Sequence, residues 1–256
     1  MTYKINDDTI DSGGFKMNSQ EIIKELQMMA TEKYKANVVK MGIPEENSIG
    51  VSTGDIRKLA KRLTKSDELA MALWDSGYHE AKLLAVLLFD KKTMTLDQID
   101  TLMKEVYSWD LCDHLCKNLI IKIKGYERLI DQWVDSNETY KKRAAFTLIA
   151  SAAIHEKEIE EDVLSRYLEY IKENSDDERE HVKKAVSWAL REIGKRDFNY
   201  NEKALLLSHE LVDRGNKTQV WIGKDALKEL ENLVKVEGRK RLISTNTQMG
   251  KKKCFD

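Results

Sequence analysis

Apolar residues recur along this chain at helical rather than strand spacing. Around Trp188, the residues Val182, Ala185, Val186, Ala189, Leu190 and Ile193 share one face at about 100° per residue. Around Trp109 the same holds for Leu111, Cys112, Leu115, Cys116, Leu119 and Ile120. The pattern continues as amphipathic segment, short polar link, amphipathic segment. A first helix is expected from Asn18 or Ser19, either of which suits a cap, to about Met41. Pro44 and Gly50 bracket a connector, and Ser52-Thr53-Gly54-Asp55 opens a short second helix carrying Ile56, Leu59, Ala60 and Leu63. Further helices are expected to begin near Ser66, Tyr78, Thr95, Trp109, Tyr126, Thr139, Glu158, Arg179, Asn201 and Lys217. Twelve glycines and a single proline leave few places to break them, and an all-β or doubly wound fold would need many more turn residues.

Four segments align without gaps: Glu80–Leu88, Lys141–Ile149, Val182–Leu190 and Ile222–Leu230. Their third positions are Lys82, Arg143, Lys184 and Lys224, and the last three lie 41 and 40 residues apart. That is the period of two-helix HEAT or armadillo units. The first gap is 61 residues, which leaves room for a divergent unit around Trp109. The expected fold is therefore all-α, a right-handed α-solenoid of HEAT-like, armadillo-type antiparallel helix pairs with a concave basic groove. Residues 18–243 form its single domain, between a disordered polar tail at 1–17 and a basic tail at 244–256 that contains Lys251-Lys252-Lys253. The four cations then read either as a basic stripe or as a coincidence of surface helix positions.

Charge makes position matter. Forty-three basic residues face forty-four acidic ones, a formal net charge of −1, so any basic surface comes from local segregation. Trp188 supplies one such place. It points away from the apolar face of its helix, together with Lys184, Arg191 and Lys195. Bases or sugars can pack on the ring while the cations meet phosphates, or the ring can pack on the next repeat. Trp109 and Asp113, one turn apart, make a half-cage for a cation. Alternatively, Asp113 forms a salt bridge to a neighbouring helix. Ser108 suits a cap, and Asp110 suits the positive end of the helix dipole.

Cys112 and Cys116 fall on the apolar face, where free cysteine acts as a small hydrophobe, while His114 points elsewhere. No metal site is expected, and His79, His155, His181 and His209 have no nucleophile spaced to pair with them. No glycine-rich phosphate loop exists and no cofactor is implied. Three cysteines (the third is Cys254), no apolar signal segment, and no run of about 18 apolar residues point to a reducing cytosol and no membrane. Nothing demands more than a monomer.

At these residues the sequence resembles the AlkD-like family of DNA alkylation-repair proteins over roughly residues 20–240. The resemblance rests on Trp109-Asp110-x-x-Asp113, on Arg143-Ala144-Ala145, and on Trp188-Ala189-Leu190-Arg191-Glu192 with Lys195 beyond. Gly50-Val51-Ser52 followed by Ile56-Arg57 adds to it. It implies a HEAT-like solenoid that hydrolyses the N-glycosidic bond of cationic N3- or N7-alkylated purines in double-stranded DNA, without cofactor. In that resemblance Asp113 is the catalytic carboxylate, Trp109 and Trp188 pack against the lesion's sugar and backbone, and Arg143 meets phosphate. Tyr34 matches a family tyrosine near DNA; beside the resemblance, the repeat column of Lys82, Lys184 and Lys224 and the Trp188 neighbours Arg191 and Lys195 complete the expected DNA-binding set. An alkylated purine leaves as a cation already, so the reaction needs no general acid. It needs stabilisation of charge developing on the deoxyribose, which an ionised carboxylate and two indole faces provide. The chain departs from the pattern at Ser108, where members with glycosylase activity often carry a second aromatic. Two other functions fit the same residues: a non-catalytic binder of distorted or branched DNA, and a protein-binding HEAT scaffold.

Overall fold

The computed structural model describes residues 17–156 and 158–253. Cys254, the ends of both expected tails and Lys157 lie outside the described residues. Among those described are fourteen α-helices, two short 3-10 turns and one antiparallel pair of two-residue strands. Contacts divide the chain into two compact units, one up to Asp90 and one from Lys91.

The first unit holds α1 (Ser19–Met28), α2 (Glu32–Lys40), α3 (Thr53–Arg62), α4 (Asp67–Trp74) and α5 (His79–Leu88). Here the expected single helix from Ser19 to Met41 is two helices. Thr31 is extended and its hydroxyl accepts from the Tyr34 N–H, opening α2, while its own N–H donates to the Gly50 carbonyl at 2.9 Å. A side-chain cap and a long-range backbone bond outcompete helix continuation at that point. Glu80 on α5 is fully buried and accepts from the N–H groups of Ile49, Gly50 and Val51 at 2.9, 2.6 and 3.3 Å. Gly50 sits at φ 99°, and a Cβ there would lie 2.8 Å from the Thr31 carbonyl oxygen and the Lys35 nitrogen. Only glycine fits that close passage. Ile22, Leu26, Leu73, Trp74 and Leu84 fill the core beneath.

The second unit holds α6 (Leu96–Met103), α7 (Trp109–Asn118), α8 (Glu127–Trp133), α9 (Thr139–His155), α10 (Glu161–Glu173), α11 (Glu180–Gly194), α12 (Phe198–Arg214), α13 (Lys217–Leu230) and α14 (Gln248–Lys253). The three aligned segments of this unit sit on α9, α11 and α13. These pack in succession, α9 on α11 and α11 on α13, with α7 against the other side of α9. The helices α8, α10 and α12 pack beside α9, α11 and α13 respectively, which makes helix-pair repeats. The divergent unit around Trp109 is α6 and α7. The apolar faces expected for α7 and α11 are buried in full, each residue 1% exposed or less. Helices α10 and α12 start about three residues from the expected points, at Glu161 and Phe198, the latter set by Asp197, whose carboxylate accepts from the Tyr200 N–H. Residues 244–253, a tail by composition alone, include the end of β2 (Ile243–Ser244), paired with β1 (Leu233–Val234), and all of α14.

Candidate functional site

Helix α9 is covered on most sides, so its polar residues need internal partners. Lys141, 7% exposed, bonds Asp100 of α6 at 3.0 Å and Glu138 at 3.0 Å. Arg143, 6% exposed, meets Asp113 of α7 side-on: its Nε donates to Oδ1 at 2.9 Å and one terminal nitrogen donates to Oδ2 at 3.0 Å. Its other terminal nitrogen donates to the His181 carbonyl on α11 at 2.7 Å. The Thr147 hydroxyl, one turn further along α9, donates to Asp113 Oδ1 at 3.2 Å. Arg143 thus ties three consecutive inner helices together, and two-point binding fixes the carboxylate plane.

That geometry leaves the two carboxylate oxygens unequal. Oδ1 has two donors, whereas Oδ2 has one, with the Lys117 ammonium standing off at 3.9 Å. The same ammonium lies 4.4 Å from the centre of the Trp188 ring. Asp113 and Trp188 therefore flank one positive charge. Trp188 is half-buried, and its Nε1 donates to Glu192 Oε1 at 3.2 Å. Burial would raise the Glu192 carboxyl, but Lys195 and Arg241 beside it hold it below the usual carboxylate value. Trp109 opens α7 with its ring 40% exposed and the Arg143 guanidinium 5.9 Å from its centre. Ser108 occupies the cap position, but its hydroxyl makes no cap bond and, 1% exposed, finds no hydrogen-bond partner among the described residues.

A family model described as DNA alkylation repair enzyme matches residues 22–230. The chain belongs to this family. No curated protein matches the sequence. Among solved structures, one described as "a new family of proteins related to the HEAT-like repeat DNA glycosylases with affinity for branched DNA structures" superposes with a TM-score of 0.71. It is 21% identical over 93% of this chain and 95% of that one. The fold of this DNA alkylation repair family member is thus HEAT-like and helical but for one two-residue strand pair.

Within the family member the other expected site residues lie in varied settings. Arg191 pairs with Asp225 and, at 3.2 Å, with Glu229; it also bonds the Ser187 hydroxyl. Lys195 bonds Glu192 at 2.6 Å and Glu229 at 3.0 Å. Lys184 is exposed and pairs with Glu180, also exposed, at 3.0 Å. Lys224 is exposed. Lys82 is 5% exposed in the first unit, with its ammonium 4.4 Å from the Trp74 ring, and Tyr34 there is 40% exposed. The four aligned cations thus divide into two buried and two exposed. Cys112 and Cys116 are buried, and burial, with Cys112 alongside, pushes the Cys116 thiol well up, so it stays protonated. No helix among the described residues is long and apolar enough to cross a membrane. Sequence reasoning missed Lys117, Thr147 and the carboxylates Asp225 and Glu229. Lys117 stands one turn beyond Asp113, and Thr147 aligns with Trp188, so both carried a positional signal. The carboxylates carried none, because the repeat alignment followed only cations.

Proposed function

We propose that this protein is a monofunctional DNA glycosylase acting on cationic N3- or N7-alkylated purines in double-stranded DNA. The observation that carries the reading is the seat between Asp113 and Trp188. A positive charge rests there already, 3.9 Å from a carboxylate oxygen and 4.4 Å from an indole centre. An arrangement that holds an ammonium in this way suits the positive charge of an alkylated nucleotide and of the deoxyribose as its glycosidic bond stretches. The base departs with the bonding electron pair and becomes neutral, so no proton donor is needed. Water then forms a bond to the sugar carbon and loses its extra proton to solvent. Oδ2, with its spare acceptor capacity, orients that water, while Arg143 and Thr147 keep the carboxylate fixed.

The test is release of free base from duplex DNA containing N7-methylguanine, comparing the wild type with Asp113→Asn. Wild type excises, and the variant loses about 100-fold or more in rate, the scale of one electrostatic stabiliser, while still binding DNA. Equal rates, or none from either, end the proposal. A second reading, non-catalytic binding of branched DNA, is favoured by Ser108 in place of a second aromatic and by the affinity ascribed to the structural relative. It predicts DNA binding without release by either protein.

A further inference from the structure

The aligned helices carry a second repeated position that the cation count passes over. The residue just before each aligned segment of the second unit is Tyr140, His181 or Trp221, spaced by the same 41 and 40 residues. Each ring is followed one helical turn later by a cation: Arg143, Lys184 or Lys224. The equivalent residue in the first unit, His79, is 1% exposed and lies outside this pattern.

Two of these rings meet across successive helices. Tyr140 on α9 and His181 on α11 stack with centroids 5.8 Å apart and planes 29° from parallel. Trp221 on α13 is 37% exposed, and the Lys183 ammonium of α11 lies 4.7 Å from its centre. The row begins at the Asp113 site, since Arg143 bonds both that carboxylate and the His181 carbonyl. Burial lowers the His181 imidazole, with Arg143 and Lys184 adding to the effect. It is therefore a neutral ring at neutral pH, suited to stacking rather than to pairing with a phosphate. Lys184 makes an exposed pair with Glu180, worth little in water, and Lys224 is exposed.

We propose that Tyr140, His181 and Trp221 form a stacking track for unpaired bases of a DNA strand, with Lys184 and Lys224 taking its phosphates. Flat rings alternating with lysines are the chemistry of single-strand binding, whereas a closed duplex hides its base faces and offers the rings nothing to stack on. The inference rests on the DNA reading above and deepens it, because a duplex opened or branched near the Asp113 seat would feed its loose strand along these helices.

The experiment is fluorescence anisotropy with three labelled DNAs of equal length: single-stranded oligothymidine, a blunt duplex and a duplex with a single-stranded gap. Trp221→Ala and His181→Ala are each expected to weaken binding of the first and third by about fivefold or more, the lower end of one base–aromatic stack. Duplex affinity stays within about twofold, and Trp221→Phe, which keeps a ring, retains most of the binding. Equal losses on blunt duplex and gapped DNA, no loss on either, or a Phe variant as weak as the Ala variant would overturn the track alone. Failure of wild type to bind any of the three removes the DNA reading as well.

Discussion

At the residue scale, the decisive question is what Lys117 does in the seat it occupies. Its ammonium is 43% exposed at the side chain, carried on a flexible stem, and touches Trp188 and approaches Asp113 without a tight bond to either. Such a group leaves easily. A substrate cation entering the seat displaces it, and that displacement subtracts from binding whatever the lysine gained, about 0.5–2 kcal/mol for a cation over an indole. Lys117→Met keeps the aliphatic stem and removes the charge. The expected result is an about three- to tenfold better discrimination between N7-methylguanine duplex and unmodified duplex, measured as the ratio of two Kd values. Using the ratio cancels any general loss of phosphate attraction. An unchanged ratio would mean that the seat plays no part in recognising the lesion.

At the element scale, the packing of α12 on α13 rests on a missing side chain. A Cβ at Gly223 would stand 2.5 Å from the Ser208 carbonyl oxygen and 2.8 Å from a Val212 methyl. The first of these is backbone and cannot turn aside, so Gly223→Ala forces the two helices apart. It should cost about 1–3 kcal/mol, seen as a lower urea midpoint at unchanged slope. Gly54→Ala, whose Cβ would meet only the Ser52 hydroxyl at 3.6 Å, is the control and should be neutral to slightly stabilising. A Gly223 variant as stable as the Gly54 variant would show that the helices adjust. The same elements show what is legible in sequence. Periodicity exposes the buried faces of α7 and α11, because each apolar residue reports its own side of the helix. Caps such as Ser52, Ser66 and Thr95 mark starts, because their bonds reach only three residues along the chain. The break at Thr31 is partly non-local, set by Gly50, and so hides inside a helical pattern. The site is half legible for the same reason. Trp109, Asp113 and Trp188 stand out by type and spacing, but the Arg143 clasp on Asp113 spans thirty residues and exists only once α7 and α9 are packed.

At the scale of the whole molecule, a chain of net charge −1 must still offer phosphates an attractive surface if it handles DNA. Its cations near Trp188 are largely held by carboxylates: Arg191 by Asp225 and Glu229, and Lys195 by Glu192 and Glu229. Glu229 touches both cations and is a third exposed, so it is the carboxylate whose charge most directly offsets what a phosphate would feel. Glu229→Gln keeps the side chain's size and an acceptor oxygen, and leaves Asp225 and Glu192 to position the two cations. It should tighten DNA binding a few-fold at low salt. It should also steepen the fall of log K with log salt by up to about 0.9, the contribution of one further neutralised phosphate. Lys224→Gln should shift both quantities the opposite way. A Glu229 variant with unchanged affinity and slope would place the phosphates elsewhere. Insensitivity of both variants to salt would instead leave α11 and α13 as a scaffold face, on which the paired charges serve only to hold one repeat against the next.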